Sequence, residues 1–327
     1  MTKLTTNEAG EFTRGANRFD ARVTADGASG WPVEPGRYRL VVSLACPWAS
    51  RAVLVRRLLG LEDAISMAVA DPIQDERSWR FTLDPEDRDP ILGIEFLAEA
   101  YAAADPDYDG GVSVPAIVDV PTGQVVTNDY PQITLDFSTE WRAYHRAGAP
   151  DLYPEAWRDE IDEVNELVYR DVNNGVYRAG LAASQEAYER AYDDLVTRLD
   201  WLTSRLADQR YLVGDHITEA DIRLFTTLVR FDAVYHGHFK CNREKLTENP
   251  VLWAYARDLY QTPGFAGTVN FDHIKRHYYQ VLHQLNPSRI VPAGPDLSGW
   301  SLPHGREALG GSPFGDGTPP PDATALS

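Results

Sequence analysis

The sequence predicts an α+β chain in two parts, a small mixed-sheet domain followed by an all-helical one. Three observations carry this. A strand–helix–strand pattern surrounds Cys46, a β-hairpin that opens on Val114-Pro115 follows it, and beyond Tyr130 apolar residues recur at helical spacing.

Tyr38 to Ala45 is rich in Val and Leu and reads as a buried strand. Pro47 suits a first helical position, and Ala52, Val53, Leu54, Val55, Leu58 and Leu59 continue an apolar helix that Gly60 ends. Ala64 to Ala70 is a second short apolar run. Because a helix separates it from the first, the two strands should be parallel. An acidic stretch from Asp71 to Gly111 follows, with a helix expected over Ile94–Ala103. Then Val114–Asp119 and Gln124–Val126, split by Pro121-Thr122-Gly123, read as a hairpin. This is the thioredoxin-like order of elements. Sequence leaves open whether the bond before Pro115 is cis.

In the second half, Trp157, Ile161, Val164 and Val168 share one helix face, and Tyr188, Tyr192, Leu195, Leu199, Leu202 and Leu206 share another. Thr218 should cap a further helix, with Ile217 as staple and Asp221 in the first turn. Asn249-Pro250 opens the next, and Asp272 to Leu285 is read as the last. The expected division is an N-terminal surface arm over 1–36, anchored by Phe12, Phe19 and Trp31. A thioredoxin-like thiol-binding domain follows over 37–135 and a helical substrate domain over 136–293. The tail over 294–327, rich in Gly, Pro and Ser, is expected to be extended or disordered.

At 327 residues and 43% hydrophobic, the chain can bury a large core. A net charge of -18 argues against nucleic acid and anionic membrane as partners, and no apolar run approaches a membrane span. Two cysteines, Cys46 and Cys241, make no disulfide framework and point to a reducing cytoplasm. His236, His238, His273 and His277 cluster in the sequence, but their spacing fits no standard zinc set, so no metal is expected.

Cys46 sits where a strand hands over to a helix. Unpaired amides and the helix dipole there favour a thiolate, so a depressed pKa and a reactive sulfur are expected in preference to an inert buried cysteine. Position 49 is Ala, so no CxxC partner exists. Any mixed disulfide on Cys46 must be resolved by an outside thiol.

A thioredoxin-like half followed by a helical half is the glutathione-transferase plan. Cys46-Pro47-Trp48-Ala49 resembles the CPWA signature of the glutathionyl-hydroquinone reductases, the Xi class of that superfamily. Trp79 in Ser-Trp-Arg-Phe, the segment Asp171 to Gly180, Arg230 to Tyr235, His236 to Asn242, His273 to Tyr279 and Asn286-Pro287 into Ile290-Val291-Pro292 look like the same family. The resemblance runs from roughly Phe12 to Pro295. It implies a reductase with no tightly bound cofactor, in which Cys46 attacks the sulfur of a thiolated hydroquinone and a second low-molecular-weight thiol regenerates the enzyme. It also implies Tyr177 and Tyr278 as catalytic and substrate-binding residues, with ordinary core tyrosines the bland alternative. Trp79, Val114, Pro115, Asp129 and Tyr130 are implied at the thiol site.

The sequence departs from the family pattern at that site. Ser113 stands where an Arg commonly precedes Val-Pro, and Asp129-Tyr130 stand where an acid–Ser pair opens the next helix. Losing a planar cation weakens carboxylate binding, and Tyr fills space beside the helix start. Glutathione is therefore expected to be a poor co-substrate, with mycothiol or γ-glutamylcysteine as alternatives. A conjugating glutathione transferase using Ser43, a glutaredoxin-like dethiolating enzyme using Cys46 alone, and a non-catalytic ligand-binding protein are competing readings. A homodimer is expected from the aromatic content of the helical half and the Asn286–Pro295 segment.

Overall fold

The computed structural model describes residues 5–15 and 17–321. A short ribbon of β1 (Thr5–Thr6) and β2 (Phe12–Thr13) starts the arm. The main sheet contains β3 (Tyr38–Val42), β4 (Ile65–Val69), β5 (Ala116–Asp119) and β6 (Gln124–Thr127), in the order β4-β3-β5-β6. β3 and β4 are parallel and joined by α1 (Pro47–Leu59); β5 pairs antiparallel with β3 and with β6. This is the expected thioredoxin-like arrangement. α2 (Leu97–Ala104) starts three residues later than expected and α3 (Tyr130–Thr139) packs on α1. The boundary drawn at 135 thus falls inside α3.

The helical half comprises α4 (Arg158–Val168), α5 (Gly175–Gly180), α6 (Gln185–Asp208), α7 (Glu219–Leu228), α8 (Pro250–Gln261) and α9 (Phe271–Val281). Leu195, Leu199, Leu202 and Leu206 form the buried stripe of α6 that their spacing implied. The Thr218–Asp221 capping box is present: Asp221 accepts from the Thr218 amide at 2.9 Å, and it also takes the Leu212 amide and the Tyr255 hydroxyl. α9 stops four residues short of Leu285. Among the described residues, no helix is long and apolar enough to cross a membrane.

The tail departs from expectation. Its composition lacks periodicity, yet Trp300, Arg306 and Phe314 are buried anchors spaced along it. Trp300 packs on Trp253 and Tyr260, with ring centres 4.7 and 4.9 Å away. Arg306 donates to the carbonyls of Leu206, Gln209 and Arg210 at 3.0, 2.6 and 2.8 Å, satisfying acceptors at the end of α6. Residues 322–327 of the expected tail lie outside the described residues. Arg306→Met leaves those carbonyls without partners and is expected to cost about 2–3 kcal/mol. Thermal melting should show a fall of about 5 °C, and an unchanged Tm refutes the capping role.

Candidate functional site

Cys46 is the N-cap of α1, with extended backbone (φ -76°, ψ 121°), and Pro47 begins the helix. Gly60, at φ 70°, ends it in the left-handed region that a side chain disfavours. The loop carrying Cys46 is held from the other half of the molecule. Buried Arg230, just beyond α7, donates to the Ala45 and Leu44 carbonyls at 3.0 and 3.1 Å and to Ser50 Oγ at 2.7 Å. Arg51 reaches Asn173 Oδ1 at 2.7 Å, and Asn173 in turn donates to the Arg223 carbonyl and Thr227 Oγ1. The segment Asp171 to Gly180 therefore fixes the face of α1 behind the cysteine while its Tyr177 faces the same cavity.

A cavity of about 420 Å³ contains Cys46 together with Trp79, Val114, Tyr177, His277 and Tyr278 on its wall. Elements far apart in sequence meet here. Trp79 stacks on His277 with ring centres 5.2 Å apart, and His277 Nδ1 lies 2.7 Å from the Pro72 carbonyl. That carbonyl can only accept, so Nδ1 carries a proton. Burial pushes His277 down to about 4, leaving the ring neutral. Gly180 permits the packing behind Tyr177, since a Cβ there would stand 2.2 Å from the Phe239 ring.

The thiol itself corrects the expectation of a depressed pKa. Burial among aromatic rings pushes Cys46 up from its ordinary value, although the Ala49 and Trp48 amides, Arg230 and Arg14 all pull the other way. The Cys46 S–H points to the Val114 carbonyl at 3.4 Å, a contact that suits the neutral thiol and repels a thiolate. Helix-start amides favour sulfur's charge, but here desolvation outweighs them. Cys241 is also buried and free, and burial raises its thiol well above the ordinary range.

Tyr177 and Tyr278 hydrogen-bond through their hydroxyls, and Tyr278 Oη lies 3.0 Å from Tyr235 Oη. Sequence reading did not assign Tyr235 to the site. Three hydroxyls have three protons, and two are used within the chain. One O–H is left to donate outward. Tyr235 and Tyr278 are buried whereas Tyr177 is half-buried, so the spare donor belongs at Tyr177, on the cavity wall. Burial raises all three hydroxyls, which stay protonated at neutral pH.

A second cavity of about 320 Å³ adjoins the first and shares Arg14, Trp48, Ser113 and Val114 with it. Tyr130 lies on its wall, its ring 4.8 Å from Trp48 and its hydroxyl donating to Tyr169 at 3.1 Å. Trp79 and Val114 thus line the cysteine cavity, Val114 and Tyr130 line its neighbour, and Pro115 and Asp129 line neither. Asp129 instead accepts from Asn17 of the arm at 3.2 Å, and the Val114–Pro115 bond is cis. The arm also supplies two arginines, Arg14 and Arg18, to the cavity that holds Ser113. The premise that this cleft lacks a cation does not hold. Among the described residues, no three His, Cys, Asp or Glu side chains are grouped to hold a metal ion.

Residues 185–258 match the model of the glutathione S-transferase C-terminal domain. The chain is 44% identical over 313 residues to the glutathionyl-hydroquinone reductase YqjG of Escherichia coli, covering 93% of this chain and 94% of that protein. The glutathione-bound structure of YqjG superposes with a TM-score of 0.84, at 44% identity, over 89% of this chain and 96% of that one. A glutathione transferase from Gordonia bronchialis is 64% identical with a TM-score of 0.93, over 93% and 95% of the two chains. A Xi-class glutathione transferase from Natrialba magadii is 45% identical with a TM-score of 0.85, over 89% of each. With near-complete coverage on both sides, and with Cys46-Pro47-Trp48-Ala49 at the head of α1, the chain belongs to the glutathionyl-hydroquinone reductase family, the Xi class of the glutathione transferases.

Proposed function

We propose that this protein removes a low-molecular-weight thiol from thiolated hydroquinones through a mixed disulfide on Cys46. The observation that carries the reading is Cys46 at the wall of a cavity that Trp48 and Trp79 also line, beside a chain of protonated tyrosine hydroxyls. A conjugating transferase has no use for that cysteine. Ser43, the hydroxyl such an enzyme was expected to use, is fully buried.

In the first step a proton leaves a ring hydroxyl and one is added to the ring carbon bearing sulfur, giving the keto form, whose oxygen accepts a hydrogen bond from Tyr177. Cys46 sulfur attacks the thioether sulfur, the carbon–sulfur bond breaks, and its electron pair returns to the ring as the hydroquinone leaves. The proton lost from Cys46 replaces the one that the ring hydroxyl gave up, so the ring leaves as the full hydroquinone. A neutral resting thiol is therefore consistent with the reaction, because its proton is consumed in the first half. A second thiol then attacks the mixed disulfide, releasing the thiol's own disulfide and restoring Cys46.

Glutathione is bound in the YqjG structure, and Arg14 gives this cleft a cation of the kind a carboxylate-bearing thiol requires. We therefore take glutathione or γ-glutamylcysteine as the co-substrate, with mycothiol as the comparison. The aromatic content of the helical half and the family-like Asn286–Pro295 segment favour a homodimer, and the free cysteines favour a reducing, cytoplasmic setting. A single turnover with a glutathionyl hydroquinone should leave Cys46 heavier by one glutathionyl group, read by peptide mass spectrometry. Release of unthiolated hydroquinone with unmodified Cys46 rejects the mechanism. Faster regeneration by mycothiol than by either peptide thiol rejects the choice of co-substrate.

A further inference from the structure

The N-terminal arm was expected to lie passively on the surface, yet it places a cation where the two cavities meet. Arg14 directly follows β2, and Phe12 beside it is buried, with its ring stacked over Tyr177 at 6.4 Å. The Arg14 guanidinium lies 4.9 Å from the Trp48 ring centre and 5.1 Å from that of Tyr177. Its Nε donates to Asn174 Oδ1 at 3.3 Å, whereas Nη2 is buried without an acceptor. Arg14 is the one charged residue among the described residues lining the cysteine cavity, and it also lines the neighbouring one. A buried guanidinium N–H with no acceptor is costly unless an anion completes it. Arg18 differs, because it already pairs with Asp105 at 2.6 Å and is largely exposed.

We propose that Arg14 is a binding residue for a carboxylate of the thiol, gripping the portion of the adduct that lies across the junction of the two cavities. It replaces, from a different element, the arginine that Ser113 lacks before Val114-Pro115. The planar fork meets a carboxylate through two donors, and stacking on Trp48 and Tyr177 holds it at the right angle. This inference rests on the reading of Cys46 as nucleophile, but it is tested without turnover.

The probe is S-methylglutathione, which keeps both carboxylates and has no reactive thiol, with its dimethyl ester as the uncharged counterpart. Calorimetric titration should show Arg14→Gln binding the acid about tenfold more weakly than the unmodified enzyme does, with Arg14→Lys in between. The ester should bind equally to both forms. Arg18→Gln should change affinity for the acid by no more than about twofold, since that guanidinium is exposed and already paired. A melting curve for each variant separates lost binding from lost fold, and the lysine variant retains the charge if glutamine unsettles the arm. Equal affinity of the acid for Arg14→Gln and the unmodified enzyme overturns the proposal. So does an ester that is as sensitive to the substitution as the acid, or an unmodified enzyme that does not bind the acid. Failure of the reductase reading appears elsewhere, as an absence of the Cys46 mixed disulfide.

Discussion

Cys46→Ser lowers the rate of hydroquinone dethiolation by about a thousandfold or more, because a hydroxyl at this position cannot form the mixed disulfide. The measurement is release of the unthiolated ring under a fixed concentration of glutathionyl adduct and free glutathione. Retention of full activity by the serine variant transfers the function to a conjugating mechanism. Alkylation gives an independent readout in the unmodified protein. Cys46 borders the cavity, whereas Cys241 is 3% exposed, so Cys46 should be labelled first by iodoacetamide. The sign of the pH dependence follows from burial. The Cys46 pKa is raised above its ordinary 9.0, so labelling should still be accelerating as pH rises through 9. A labelling rate already level at pH 7 indicates a thiolate in the resting enzyme and contradicts the neutral thiol.

That reversal shows which parts of the site were legible in the sequence. Cys46 at a strand–helix junction, the Val114-Pro115 hairpin and the Thr218 capping box are encoded within a few residues. Local spacing was enough to place them. The pKa of Cys46 is different in kind, because it depends on burial and on Arg230 and Arg14, which reach the sulfur only through tertiary packing. Arg14 was illegible for the same reason: the arm has no periodicity, and its guanidinium is oriented by Asn174, 160 positions away. Tyr235 lies in a segment that carried the family resemblance, but its role as rear donor to Tyr278 needs the π-helical turn Phe231–Tyr235 to bring it under α9. The tail failed through composition. Gly and Pro between anchors hid the fact that Trp300, Arg306 and Phe314 are enough to dock it.

Tyr177→Phe is expected to slow the first half-reaction by about a hundredfold, the scale of a lost proton donor in a desolvated site. Tyr177 is placed to meet the ring oxygen, while Tyr278 stands behind it and donates into it, with Tyr235 behind both. Removing Tyr278 should therefore act mainly through Tyr177, whose hydroxyl becomes a weaker donor when it no longer accepts from a neighbour. Tyr278→Phe is expected to lose about tenfold, and Tyr235→Phe less. The double variant Tyr177→Phe/Tyr278→Phe should be scarcely slower than Tyr177→Phe alone, because the rear hydroxyl has nothing left to polarise. Single-turnover ring release, measured before any free thiol is added, reads this step in isolation. Losses that simply multiply in the double variant mean that the two hydroxyls act on different atoms, and the relay is then wrong. The pH profile supplies the second check. Burial holds both hydroxyls protonated beyond their ordinary 10.0, so tyrosine ionisation should cause no fall in ring release below that pH. A rise with an apparent pKa well below 10 that disappears in Tyr177→Phe identifies an ionised tyrosine instead, acting as a base toward the ring hydroxyl rather than as a donor to its oxygen.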